Sequence, residues 1–351
     1  MEKRGRIDGH MHVAHQNPEA LFEVAAHYGF DRFATLGCPC LWKLSNNMDC
    51  LLPKVMAPKK VYAFGGLSYG PRQDTKEALA DQLRRMMDAG LDGLKLIETK
   101  PAAMRRLNVR LDSELYEGVF ALAEEHGFPV LWHVGDPATF WSIETAPAFA
   151  IAGNMCYIGE EWPPLSEIYA QVEKVLTRHP KLRVCFAHFY FTGDDMAHAA
   201  RMFDTWPNVW FDLTPGTEMY SHFLRDTEKW RAFFEKYSRR IFMGTDFTDS
   251  QADMENGLFD HLYTLATEAL EKSGPVKVWD IEGTGMGLSA EALNNIYVSS
   301  YEAFAGREPI PMNKEGLERL RNWYQAQYDG LNDNEDRGYC MGLLDRIIGT
   351  L

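Results

Sequence analysis

His10 and His12 stand one residue apart in the apolar run Arg6-Ile7-Asp8-Gly9-His10-Met11-His12-Val13. On a β-strand successive side chains point to opposite faces, so this spacing aims both imidazoles at the same side. Two neutral nitrogen donors on one rigid strand make half of a metal site. A strand also carries two surface histidines by chance, so the pair gains weight only from the rest of the chain. Other apolar runs carry or end in polar groups: strand four carries Lys95 in Gly93-Leu94-Lys95-Leu96-Ile97-Glu98, and others end in His133 after Trp132, His188 after Ala187, and Asp246 after Gly244-Thr245. A lone histidine on an apolar strand is usually a hydrogen-bonded core residue. Four of the eleven histidines and a carboxylate gathered at one end of a core each need a partner, and one divalent cation serves them all.

The elements that must position these groups alternate along the chain. Strand-length apolar runs cover residues 6–13, 32–37, 61–69, 91–98, 129–135, 183–190, 209–214 and 241–248. Amphipathic helical segments lie between them, at 18–28, 75–89, 113–126, 166–178 and 195–206, several entered through Asp or Ser. Gly29, Gly90 and Gly127 stand where a left-handed residue closes a helix, and Pro180 and Pro207 forbid continuation. Eight strand–helix units in alternation predict a parallel, α/β, (β/α)8 TIM barrel, whose chemistry sits at the C-terminal ends of the strands. An open doubly wound sheet would want a glycine-rich phosphate loop after the first strand, and His10-Met11-His12-Val13-Ala14-His15 is not one. The barrel is expected over residues 1–310, with a C-terminal helical extension over 311–351 packed on its outside or on a neighbour.

Composition narrows the classes. With 46% hydrophobic and 25% charged residues over 351 positions, there is material for one large core. The formal net charge of −14, with no basic patch, argues against nucleic-acid or anionic-membrane partners. No run of eighteen apolar residues occurs and the opening residues 1–6 are charged, so a soluble, cytoplasmic protein is expected. Six cysteines show no disulfide framework, and Cys38-Pro39-Cys40, lacking a second pair at finger spacing, reads as structural. Phe140 and Trp141 open a long aromatic segment through Trp162, which reads as a lid over a planar or apolar substrate or as a contact in a homo-oligomer. Arg105, Arg106 and Arg110 follow strand four and suit a substrate carboxylate or a solvated helix face. His15 lies beyond the metal pair, on the surface.

His10-Met11-His12, His133, His188 and Gly244-Thr245-Asp246, on strands one, five, six and eight, resemble the metal-dependent amidohydrolase superfamily. Within it the chain looks most like the amidohydrolase-related branch of aminocarboxymuconate semialdehyde decarboxylase-like, resorcylate decarboxylase-like and lactone hydrolase-like barrels. The supporting stretches are Trp162-Pro163-Pro164-Leu165, Arg178-His179-Pro180, 182–188, 207–213, 241–247 and the late helix 290–304, so the resemblance runs from about Arg6 to Ala305.

The resemblance implies that His10, His12, His133 and Asp246 hold one Zn²⁺, or Mn²⁺, with an open position for water or substrate. His188 stands beside the ion as an acid/base or electrostatic clamp. Asp246 or His188 moves the proton when a metal-activated water opens a C–O or C–N bond of a small molecule, a lactone, ester or amide. A non-oxidative decarboxylase of an aromatic or dienoic acid uses the same ion to stabilise charge on the substrate. In binuclear members a carbamylated lysine at the position of Lys95 bridges two ions. Lys95 otherwise binds a substrate anion, with Arg106 and Trp141 as further substrate contacts, or snorkels to water. A Schiff-base aldolase using Lys95 is the remaining alternative.

Overall fold

The computed structural model describes residues 5–69 and 75–351; the charged opening at 1–4 lies outside them. Parallel strands β1 (Arg6–His12), β2 (Phe30–Leu36), β3 (Val61–Gly66), β4 (Gly93–Thr99), β5 (Val130–Val134), β6 (Val184–Phe186), β7 (Val209–Asp212), β8 (Ile241–Phe242) and β9 (Phe247–Thr248) form one sheet in the order β8-β7-β6-β5-β4-β3-β2-β1-β9. β8 and β9 are two pieces of the expected eighth strand, and they pair with β7 and β1 respectively. Between them Gly9 N–H donates to Met243 O at 2.9 Å and Asp246 N–H to His10 O at 2.8 Å. The sheet thus closes on itself as a TIM barrel, with helices outside.

The strands are apolar on both faces because helices cover one side and the barrel interior the other; every residue of β4 and β5 is buried. Gly29, Gly90 and Gly127 have φ of 72, 92 and 58°, the left-handed values expected of them. A π-turn over Asn295–Ser299 interrupts the late helix, and the Ile296 carbonyl there accepts the Met243 amide that the break in strand eight leaves unpaired.

Three features depart from the sequence expectation. The sixth strand stops at Phe186, and His188 to Phe191 form a left-handed turn with φ between 50 and 57°. The eighth strand breaks at Met243–Asp246, where Asp246 has φ 60°. An antiparallel hairpin, β10 (Pro275–Val278) with β11 (Ile281–Thr284), was not legible as strands. Helix Lys314–Tyr328 packs on helix Lys76–Ala89, and helix Asn334–Thr350 on helix Asn46–Met56. Among the described residues no helix is long and apolar enough to cross a membrane, and all six cysteines are free.

Candidate metal centre

The C-terminal mouth of the barrel holds a cavity of about 220 Å³, lined by His10, His12, Lys95, His133, His188 and Asp246 together with Cys38, Leu41, Trp42, Ile97, Lys100 and Thr248. The polar groups picked out on strands one, four, five, six and eight in the sequence therefore line one cavity. Among the described residues, His10, His12 and Asp246 are the one group of three metal-ligating side chains whose donor atoms lie within 4.8 Å of one another.

Hydrogen bonds fix how the two strand-one imidazoles face. His10 Nδ1 lies 2.7 Å from Asp212 Oδ2, and His12 Nδ1 lies 3.0 Å from Leu36 O. Both partners accept, so both rings carry a proton on Nδ1 and turn Nε2 toward the cavity. These two Nε2 atoms are 3.1 Å apart, and Asp246 Oδ1 is 3.4 and 3.3 Å from them. Three such groups facing one another are held together only by positive charge among them, a proton or a metal cation. With metal–nitrogen bonds of about 2.0–2.1 Å, donors at two corners of a tetrahedron are about 3.3 Å apart. The residues present fit a zinc-like ion, with His10, His12 and Asp246 at three corners.

Electrostatics agree. Burial lowers the pKa of His10 well below its ordinary value, with the Lys95 ammonium adding to the effect. Burial also opposes a charge on His12, but Cys38 and Asp246 beside it raise its pKa to about 9. Burial favours the protonated Asp246 carboxyl, yet His12, His10 and His188 hold it well below the usual carboxylate range. Positive charge is therefore favoured at the His12–Asp246 edge, where a proton on His12 holds the place a metal cation would take, and disfavoured on His10, whose Nε2 has Lys95 Nζ at 3.3 Å.

The local backbone is built for this. A Cβ on Gly244 would stand 2.5 Å from Thr214 Oγ1 and 2.9 Å from His10 Cβ, so only glycine lets the chain pass behind His10. Thr245 donates from its amide and hydroxyl to buried Asp8, which also accepts the His10 amide, tying the break in strand eight to β1. The left-handed turn that carries His188 costs about 1–2 kcal/mol per residue. Aromatic packing offsets it: Phe189 stacks on Phe234 at 5.6 Å and meets Phe211, Phe223, Trp230 and Phe233 edge-on. Phe191 stacks on the His188 ring at 5.0 Å. Burial, then neighbouring His133, lowers His188 to about 3, so its imidazole is neutral.

His133 is placed differently from the three. Its Nε2 is 2.9 Å from Gly135 O and 3.3 Å from Asp136 Oδ1, and its ring meets His188 edge-on at 4.8 Å. Arg106 and Trp141 do not line the cavity. Helix Pro101–Leu107 carries Arg106 exposed, and Trp141 joins Phe140, Ala150, Tyr157 and Trp162 in a separate small core, its indole N–H donating to Pro163 O. Lys100 and Trp42 reach the cavity from loops that carry no strand periodicity, which is why sequence reasoning passed over them, and Cys38, read from the sequence as structural, also lines it. Asp212 was also missed, although an acidic residue closing an apolar strand is the signal that identified Asp246.

A family profile described as Amidohydrolase matches residues 54–274. No curated protein matches the chain. Among solved structures it is similar to an uncharacterized TIM-barrel protein from Bordetella bronchiseptica, at 14% identity and a TM-score of 0.55 over 86% of this chain and 98% of that one. It is also similar to a 2,6-dihydroxybenzoate decarboxylase complexed with 2,6-dihydroxybenzoate, at 13% identity and 0.53 over 86% and 98%. At such identities the structural likeness establishes the barrel alone. The profile spans more than half of the sequence, and on that ground the chain belongs to the amidohydrolase family.

Proposed function

We propose that the protein is a metal-dependent hydrolase that opens a C–O or C–N bond of a small molecule, of lactone, ester or amide type, at the barrel mouth. The observation that carries this reading is the convergence of two imidazole Nε2 atoms and a carboxylate oxygen at the edge lengths of a tetrahedron. His10, His12 and Asp246 would hold one ion, Zn²⁺ by donor chemistry with Mn²⁺ as a substitute, and His133 is the fourth candidate donor. When bound, such an ion supplies Lewis acidity toward a carbonyl and lowers the pKa of water.

The chain's own groups do the rest. Neutral His188 accepts a proton from the attacking water and returns it to the leaving atom, with the free face of Asp246 as the alternative acceptor. Lys95 is buried, lines the cavity and makes no ion pair among the described residues, so it would hold an anionic group of the substrate. Leu41, Trp42 and Ile97 offer an apolar wall to the substrate body.

That lysine also favours a second reading, a non-oxidative decarboxylase of an aromatic or dienoic acid, in which Lys95 grips the carboxylate that leaves as carbon dioxide. The structural neighbour that is a decarboxylase is in keeping with it. An assay in ¹⁸O-labelled water against lactones, esters, amides and aromatic acids decides. Label in the organic product supports the hydrolase, carbon dioxide release with an unlabelled organic product supports the decarboxylase, and turnover unaffected by complete demetallation overturns both.

A further inference from the structure

Asp212 closes β7 and is fully buried, and its two oxygens are divided between different tasks. Oδ2 accepts the Nδ1 proton of His10 at 2.7 Å. Oδ1 accepts the backbone amide of His188 at 2.8 Å and that of Thr214 at 3.2 Å. The His188 amide is the first of the left-handed turn, a conformation that four non-glycine residues in a row do not hold without support. The imidazole at the metal corner and the imidazole that moves the proton are thus oriented by one carboxylate, although they sit on strands one and six.

We infer that Asp212 is a positioning residue that fixes the metal-binding tautomer of His10 and the His188 turn together. The inference rests on the proposed metal centre and adds the group that couples its two halves. Two oxygen acceptors are required, because a carboxamide in the same place offers one acceptor and one donor. With the amide oxygen toward His188, the NH₂ group faces His10 Nδ1 and drives the ring proton onto Nε2, the atom meant to bind metal. With the oxygen toward His10, the NH₂ group faces the His188 N–H, and the turn loses its bond.

The isosteric Asp212→Asn variant tests this in two readouts that need no substrate. Cobalt(II) affinity, followed by its visible absorption, is expected to fall by about 10–100-fold, or hydrogen exchange of the His188 amide to quicken at least about tenfold while the β5 amides keep their protection. Unchanged cobalt affinity together with unchanged His188 exchange overturns the assignment of Asp212. If the variant does not fold, ¹⁵N spectra of the wild-type imidazoles decide: the His10 proton on Nδ1 supports the assignment, and the proton on Nε2 overturns it. Wild-type protein that takes up no cobalt overturns the metal reading and this one with it, whereas wild-type uptake with an indifferent Asp212→Asn variant overturns this one alone.

Discussion

At the scale of single residues, side chains that share one cavity have separable tasks. His12→Ala removes a donor without touching the proton-moving imidazole, so bound metal and turnover are expected to disappear together. His188→Asn should leave metal content unchanged while lowering kcat by about 10²–10⁴-fold; metal analysis beside steady-state kinetics separates the two outcomes. Lys95→Met is expected to raise KM for anionic substrates far more than for neutral ones, and equal effects on both would remove its anchoring role. His10, His12 and Asp246 were legible because strand periodicity and apolar context single out a polar group that needs a partner. Lys100 and Trp42 were not, since a loop gives no period by which to infer direction. Arg106 and Trp141 lie off the cavity wall: each follows a strand that ends at the mouth, but a short helix and a local aromatic core place them there.

At the scale of elements, the chemistry depends on where strands six and eight stop being strands. Eight apolar runs separated by helices were enough to read the barrel, because parallel strands buried on both faces leave that mark in the sequence. The left-handed turn at His188 and the break at Asp246 leave no such mark; tertiary contacts impose them, through Phe189 in its ring cluster and Thr245 on Asp8. Gly244→Ala probes the break. Its Cβ would collide with Thr214 and His10, so we expect a loss of stability on the order of 1–3 kcal/mol, read by denaturant unfolding, with metal affinity reduced as His10 is displaced.

At the scale of the whole molecule, the C-terminal helices hold the wall that carries Cys38, Leu41 and Trp42. Asp336 accepts from the Ser45 amide and hydroxyl, Asn47 donates to Tyr324, and Tyr339 donates to Asp49 at 2.6 Å. Burial pushes Asp49 up to about 7, against the Tyr339 hydroxyl, with Asp249 and Asp336 adding to the rise. A carboxyl held above its unfolded value of about 3.9 binds its proton more tightly when folded, so its contribution to stability is present below about pH 4 and is lost as pH climbs to about 7. Asp49→Asn should therefore lose less stability than wild type between these limits, and parallel pH profiles of the two proteins would contradict this. A helical C-terminal stretch from Asn313 to Leu351 was legible in the sequence, though helix Asn334–Thr350 starts inside the polar stretch 332–337 expected as a loop, and the hydrogen bonds that dock these helices were not, because they join residues nearly 300 positions apart. The barrel, the docked helices and the rim of donors have one meaning only if a cation belongs among them. Elemental analysis of the protein purified without added metal, beside His12→Ala and Asp246→Asn, is the most direct test. The account predicts about one divalent transition-metal ion per chain, absent from both variants and removed by chelation together with turnover; a wild-type chain that is active with no such ion, or variants that retain it, would contradict the account.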